Sequence, residues 1–227
     1  MQCPFALLVL RTQRVSIMNE AKQNKCMLDP FVGLSGSFSV VYADRPWRFS
    51  NYNDKTAMNW CGSHYPLMDE AAIRALPVGE LCAKDCALFL WGTWPTLPRA
   101  VRIIEAWGFT FKTVAFVWVK TNKDGSPFLG MGYWTRSNTE FCLLATRGSP
   151  RRVSCAVPQL VFSRRGRHSA KPAEVRDRIV LLMGDVPRVE LFARERVQGW
   201  EAWGNEVEAN SAIDIKSPPI ARTTEKE

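Results

Sequence analysis

The sequence predicts a three-layer αβα sandwich with a mainly parallel sheet. Two observations carry that expectation: apolar runs of strand length alternate along the chain with segments of helical periodicity, and apolar residues make up 46% of 227 positions, enough for a full core. The length suits one domain of ordinary size, and no internal repeat is visible.

Phe38-Ser39-Val40-Val41-Tyr42-Ala43 is the first strand, running into Asp44-Arg45-Pro46-Trp47. Residues 48 to 66 carry Phe49, Tyr52, Trp60, His64 and Tyr65, a stretch too long and too aromatic for a passive connection, so a working loop is expected there. Asp69 to Leu76 has helical periodicity and stops before Pro77. Cys86 to Gly92 reads as a buried strand, Pro98 to Trp107 as a helix closed by Gly108, and Phe111 to Val119 as a second buried strand ending at Lys120. Residues 121 to 138 form a second working loop. Its Gly125, Gly130 and Gly132 permit close backbone approach, while Tyr133 and Trp134 offer stacking surfaces and Arg136 a phosphate contact. Thr139 to Thr146 is a strand and Leu160 to Ser163 a short one. Pro172 to Met183 is an amphipathic helix with proline in its first turn and Gly184 at its end, and Val186 to Arg194 is the last strong strand. Residues 1–33 read as a loose N-terminal arm, in which Met18 could be the start, 34–206 as the working domain, and 207–227 as a polar, disordered tail containing Pro218-Pro219.

Charge narrows the partner. Lys and Arg number 30 against 22 acidic residues, a formal +8 with a pI near 9.3, which favours a polyanion. Arg164, Arg165, Arg167 and His168 concentrate that charge after the short strand. Seven cysteines are scattered, with Cys86 and Cys142 inside apolar runs, as small core residues in a reducing compartment would be. Cys82 and Cys86 stand four apart without a second pair to complete a zinc site, so no metal is expected. The apolar stretch Phe5 to Leu10 is too short to span a membrane and lacks a preceding positive cluster. A cytoplasmic protein without membrane contact is expected.

Asp44-Arg45-Pro46-Trp47 has the chemistry of a site that methylates an amino group on a nucleic-acid base. The exocyclic amine of adenine is a poor nucleophile because its lone pair is delocalised into the ring. It must be held by acceptors that favour the sp³ geometry of attack. The Asp44 carboxylate is one such acceptor and the Arg45 carbonyl the second, aimed by Pro46, which fixes its own φ and restricts its predecessor. Trp47 would stack on the base, worth roughly 1 to 3 kcal/mol. A base inside a duplex is out of reach, so the substrate is flipped or single-stranded.

The ordered set Asp44-Arg45-Pro46-Trp47, Phe89-Leu90-Trp91, Trp118-Val119-Lys120-Thr121-Asn122, Gly130-Met131-Gly132-Tyr133-Trp134, His168-Ser169-Ala170-Lys171-Pro172, Glu190-Leu191-Phe192-Ala193-Arg194 and Trp203-Gly204-Asn205-Glu206 resembles one family. It is the family of adenine-N6 methyltransferases named after the methyl-transferring subunit of the messenger-RNA adenosine methyltransferase, in the style of its compact bacterial and bacteriophage members. The resemblance runs from about Phe38 to Glu206. It implies a Rossmann-like fold that binds S-adenosylmethionine, with Asp44 catalytic and also near the cofactor. It further implies Lys171 near the methionine carboxylate, Glu190 on the ribose hydroxyls, Arg194 as a further cofactor contact, and Asn205 with Glu206 after the last glycine. Tyr133, Trp134, Arg136, Arg164, Arg165 and Arg167, with Trp47, are the expected substrate contacts. DNA is the expected substrate, with RNA or a catalytically silent nucleic-acid-binding subunit as alternatives. The chain would work as a monomer or as a dimer with a related subunit. One departure stands out: this family usually has proline where the chain has Arg45.

Overall fold

The computed structural model describes residues 30–31, 33–34, 36–45, 68–132, 134–166 and 170–207. Backbone contacts divide the chain into Met1–Leu34 and Ser35–Glu227. In the first unit the Leu34 N–H donates to the Phe31 carbonyl at 3.0 Å. The aromatic loop expected at 48 to 66 lies outside the described residues, as do Pro46, Trp47, Tyr133, Arg167, His168, most of the expected N-terminal arm and residues 208–227 of the expected tail.

The second unit is built on one seven-stranded sheet. Its strands are β1 (Phe38–Ala43), β2 (Cys82–Gly92), β3 (Thr110–Thr121), β4 (Thr139–Arg147), β5 (Leu160–Arg164), β6 (Arg188–Leu191) and β7 (Glu201–Trp203), in the spatial order β5-β3-β4-β2-β1-β6-β7. β1 pairs in parallel with both β2 and β6, β6 with β7, and β3 with β5, while β4 runs antiparallel between β2 and β3. All strands but β4 therefore point the same way. The chain leaves β1 for β2 on one side and later places β6 on the other, so the order reverses at β1. In an open α/β sheet the crevice beyond the carboxyl ends at such a point is where ligands bind.

Among the described residues three α-helices complete the layers: α1 (Glu70–Arg74), α2 (Leu97–Ala106) and α3 (Glu174–Met183). Successive side chains of a strand face opposite ways, so each strand feeds two cores. Val40, Tyr42, Phe89, Trp91, Phe116 and Trp118 form one of them with Val175, Ile179 and Met183 of α3. The intervening Val41, Leu88, Leu90, Phe141 and Leu143 are fully buried on the other face, where α2 contributes Ala100, Ile103 and Ile104. α1 joins that side, with Trp107 Nε1 donating to the Ile73 carbonyl at 2.9 Å. Each large side chain so buried contributes about 1.5 to 3 kcal/mol.

Element boundaries shift from the expected ones for local reasons. β2 begins at Cys82 rather than Cys86, through an irregular register between Phe38 and Val40 of its partner. α3 starts at Glu174, so Pro172 precedes the helix instead of sitting in its first turn; its carbonyl accepts the Val175 N–H at 3.1 Å. β6 stops at Leu191 because Phe192 adopts φ 61°, a left-handed conformation that turns the chain out of the sheet.

Candidate functional site

Every described residue with an expected role in binding or catalysis falls near the carboxyl edge of the sheet. Asp44 and Arg45 follow β1, Lys171 precedes α3 on the way from β5, Glu190 lies on β6, Arg194 beyond it, and Asn205 and Glu206 beyond β7. The strand that runs the other way contributes as well, since its first residues, Thr139 and Glu140, lie at this same edge.

At the centre is a chain of four charges. Lys171 Nζ donates to Asp44 Oδ2 at 2.8 Å and lies 3.3 Å from Glu140 Oε2, while Lys120 Nζ donates to Glu140 Oε1 at 2.5 Å. All four side chains are largely buried, from 9% exposed for Glu140 to 19% for Lys120. Burial works to raise the Glu140 carboxyl, but Lys171 and Lys120 outweigh it and hold it below the ordinary carboxylate value. Burial likewise works to lower Lys171, yet Asp44 and Glu140 raise it above its usual value and keep it charged. A lysine just ahead of a helix start is unfavourably placed. Two protein carboxylates relieve it here. The Lys171 ammonium also lies 5.7 Å from the Trp91 ring, whose Nε1 donates to the Tyr42 hydroxyl at 2.7 Å.

A second ionic group stands one strand away. Glu190 pairs across the ladder with Tyr42, two residues before Asp44. Its carboxylate is gripped by Arg176 of α3 through two hydrogen bonds, Nε to Oε2 at 2.7 Å and Nη2 to Oε1 at 3.0 Å. Burial pushes the Glu190 carboxyl up against the pull of Arg176, and Asp44 and Glu195 add to the rise. Beyond the Phe192 turn, Ala193 N–H donates to the Trp203 carbonyl at 2.9 Å. Gly204 is required there, because a Cβ would collide with the Ala193 backbone, 2.6 Å from its nitrogen. The two strand-end turns thus interlock, leaving Arg194 Nε 3.8 Å from Glu206 Oε1 and Asn205 exposed beside them.

The β3–β4 hairpin overhangs the same edge. Gly130 and Gly132 do allow close approach, but to the loop's own Ser137 and Thr135 carbonyls. Arg136 turns inward, donating to the carbonyls of Gly130 and Leu129, so its guanidinium is already engaged by the loop. Trp134 is fully exposed and Met131 92% exposed. The basic end of β5 embraces this hairpin: Arg164, its last residue, donates to the Lys123 carbonyl, and the guanidinium of the next residue, Arg165, stacks 3.7 Å over the Phe128 ring.

Three participants escaped the sequence reading. Glu140 and Arg176 look like solvent-facing charges on a strand and a helix; the available signal was a lysine and a glutamate at the facing ends of consecutive strands. Trp94 follows β2 and is partly exposed, with its Nε1 donating to Thr139 Oγ1 at 2.7 Å. It adds an aromatic face beside the hairpin.

The donor set fits S-adenosylmethionine. Lysine complements the amino-acid carboxylate of that molecule, and the carboxylates of Glu190 on β6 and of Asp44 just past β1 complement its ribose hydroxyls and its positive charges. Among the described residues no group of three or more His, Cys, Asp or Glu side chains gathers as a metal site, and no helix is long and apolar enough to cross a membrane.

The family model MT-A70 matches residues 38–206. The chain is 34% identical over 191 residues to the Type II methyltransferase M.MunI of a Mycoplasma species, covering 76% of this chain and 79% of that protein. It is 27% identical to the N(6)-adenosine-methyltransferase MT-A70-like protein of Arabidopsis thaliana, over 84% of this chain and 27% of the relative. It is 26% identical to the human N(6)-adenosine-methyltransferase catalytic subunit METTL3, over 81% of this chain and 30% of the relative. The chain thus spans most of the Mycoplasma protein and under a third of each of the other two.

Proposed function

The chain belongs to the MT-A70 family of methyltransferases, and from that premise we propose that it methylates the exocyclic N6 amine of adenine in DNA, using S-adenosylmethionine. The observation that carries this reading is the Asp44 carboxylate at the carboxyl end of β1, held by Lys171 at 2.8 Å beside the overhanging aromatic hairpin. S-adenosylmethionine supplies an electrophilic methyl group when bound. Lys171 and Glu190, with Arg194, Asn205 and Glu206, would hold it. Asp44 accepts one N–H of the adenine amine and the Arg45 carbonyl the other, drawing the nitrogen toward the pyramidal geometry its lone pair needs. The amine loses its proton only as the new bond forms, so no strong base is required, and rate comes from positioning. Trp47, Tyr133 and Trp134 supply stacking surfaces for an extruded base, and Arg164, Arg165 and Arg167 supply charge toward the phosphates, while Arg136 braces the hairpin.

DNA is favoured because the match covers most of a compact Type II methyltransferase. The names of the other relatives specify adenosine, the ribonucleoside, which makes RNA the second reading. Free cysteines and a nucleic-acid substrate fit a cytoplasmic enzyme, working as a monomer or beside a related subunit. The test supplies labelled S-adenosylmethionine with adenine-containing DNA and RNA oligonucleotides, single- and double-stranded, and identifies the product by mass spectrometry. N6-methyladenine in DNA supports the reading. Methylation of RNA alone replaces DNA by RNA, and methylation of neither removes the activity.

A further inference from the structure

Trp94 stands just past the carboxyl end of β2 and is 42% exposed, yet both its ring and its backbone are held. Its Nε1 donates to Thr139 Oγ1 at 2.7 Å, at the first residue of β4. Its ring meets that of Phe141 edge-on, with centroids 5.2 Å apart and planes at 67°. Phe141 is fully buried, and a Cβ on Gly92 would come within 2.6 Å of its ring, so glycine there lets Phe141 seat behind Trp94. Trp94 also opens a 3-10 turn ahead of α2, closed by the Thr93 N–H on Thr96 Oγ1 at 3.1 Å and the Thr96 N–H on the Thr93 carbonyl at 2.8 Å. Pro95 follows, with its own φ fixed and the range of Trp94 narrowed.

A single exposed aromatic side chain is ordinary on a protein surface. This one is immobilised while exposed. Ordering a ring costs conformational entropy, and a ligand that covers one already ordered does not incur that cost again. The only hydrogen-bond donor of the indole is engaged by Thr139, so what remains free is a π-face. Every nucleobase stacks on such a face, whatever its hydrogen-bonding edge.

The sheet decides which base this is. Successive strand residues face opposite ways, so Thr139 and Phe141 point to the α2 side while Glu140 and Cys142 point to the α3 side. The Asp44–Lys171–Glu140 chain lies on the α3 side, where Lys171 is 5.7 Å from the Trp91 ring. Trp94 goes with Thr139 and Phe141, across the edge from the carboxylate that takes the amine. A base lying on it is therefore not the one whose amine Asp44 holds.

We infer that Trp94 is a substrate-binding residue that stacks on a base next to the target adenine and holds the strand across the carboxyl edge of the sheet. This rests on the proposed reading of the chain as an adenine methyltransferase acting on DNA, with Asp44 on the amine.

The experiment compares Trp94→Ala, Trp94→Phe and Thr139→Val with the unaltered full-length chain. It measures Kd for a mixed-sequence single-stranded DNA oligonucleotide with one adenine, KM and kcat for its methylation, S-adenosylmethionine affinity, and melting temperature. Trp94→Ala is expected to raise Kd and KM by about 5- to 150-fold, the equivalent of one lost base stack, with the loss falling on binding rather than on kcat and cofactor affinity as before. Trp94→Phe keeps a ring without the Nε1 bond and recovers most of the affinity. Thr139→Val releases the indole and gives a smaller loss. The Kd measurements are then repeated with an abasic residue at the adenine and at each neighbouring position in turn. With the abasic residue at the stacked position, the unaltered chain and Trp94→Ala should bind equally, because neither has a stack to lose. Unchanged Kd and KM in Trp94→Ala overturn the inference. So does a difference that survives the abasic residue at every position, which is the mark of a structural role. Cancellation only at the adenine itself overturns it too, since the ring then holds the target base. Equal KM in all variants on an oligonucleotide they all methylate rejects the inference alone, whereas an unaltered chain that neither binds nor methylates the DNA rejects the proposed function and the inference with it.

Discussion

Replacing Glu140 by glutamine removes one negative charge from the four-charge chain and keeps the side chain's size. The carboxylate meets Lys120 at 2.5 Å and Lys171 at 3.3 Å. At an effective dielectric near 20, contacts of that length are each worth about 5 to 7 kcal/mol before desolvation. Removing the carboxylate's own desolvation returns several kcal/mol, so the net loss on neutralising one partner of a buried group is about 3 to 5 kcal/mol. For a domain of this size that lowers the melting temperature by about 6 to 20 °C. Calorimetry at neutral pH reads the shift, and the pH dependence identifies its origin. The Glu140 carboxyl is held below its ordinary value of 4.5, so its contribution is present above that value and lost as pH falls through the lower folded one. Lys171 is raised above 10.5, so its share is complete below that value and disappears as pH rises through the higher folded one. The glutamine variant should therefore show a shallower acid limb and a smaller alkaline limb, still beginning near the ordinary lysine value. A loss within about 1 kcal/mol, with both limbs unchanged, would mean that water screens these charges as it does surface pairs, and the reasoning fails.

Asp44→Ala should abolish methyl transfer while cofactor affinity stays within a few-fold, since Lys171 retains Glu140; wild-type turnover would remove Asp44 from the mechanism. Glu190→Gln should weaken S-adenosylmethionine binding by about 1 to 3 kcal/mol in calorimetry, and unchanged affinity would move the ribose site elsewhere. Removing charge at Arg164, Arg165 and Arg167 should flatten the slope of log K for DNA against log salt by about 0.9 for each phosphate no longer neutralised. An untouched slope would leave Arg164 and Arg165 as hairpin supports only. Gly204→Ala should destabilise the chain by about 1 to 3 kcal/mol, because the methyl group presses on the Ala193 backbone; a wild-type melting curve would show that the β6 and β7 turns yield freely.

Strand and helix alternation was readable because β1 to β4 and the helices carry apolar side chains in runs long enough to show a period. β7 was not, since three residues, Glu201–Trp203, cannot display one. Nor does composition reveal direction: β4 has the same apolar character as its parallel neighbours, and only its hairpin connection reverses it. β6 was read three residues too far at its end because nothing in Phe192 announces a left-handed turn. In the site, Asp44, Lys171 and Glu190 could be picked out by motif, being set beside proline, glycine or apolar runs. Glu140 and Arg176 could not, because their partners lie in other elements and a lone charge in a strand or helix resembles a solvated one. The inward turn of Arg136 was equally hidden, since a free arginine and one folded onto its own loop share a sequence.

The reversal of β4 also bears on how such a chain could be retargeted. A parallel neighbour of β3 would have needed a crossover across a face of the sheet, and any change in that connection would disturb the layer beneath it. The β3–β4 connection instead closes a hairpin at the carboxyl edge of the sheet, anchored at its base by the β3–β4 ladder and at its side by Arg164 and Arg165. Its length and composition can vary without moving a strand or a helix. On the proposed function, sequence preference for the target would be exchanged at this tip while the Asp44–Lys171–Glu140 cluster stays in place.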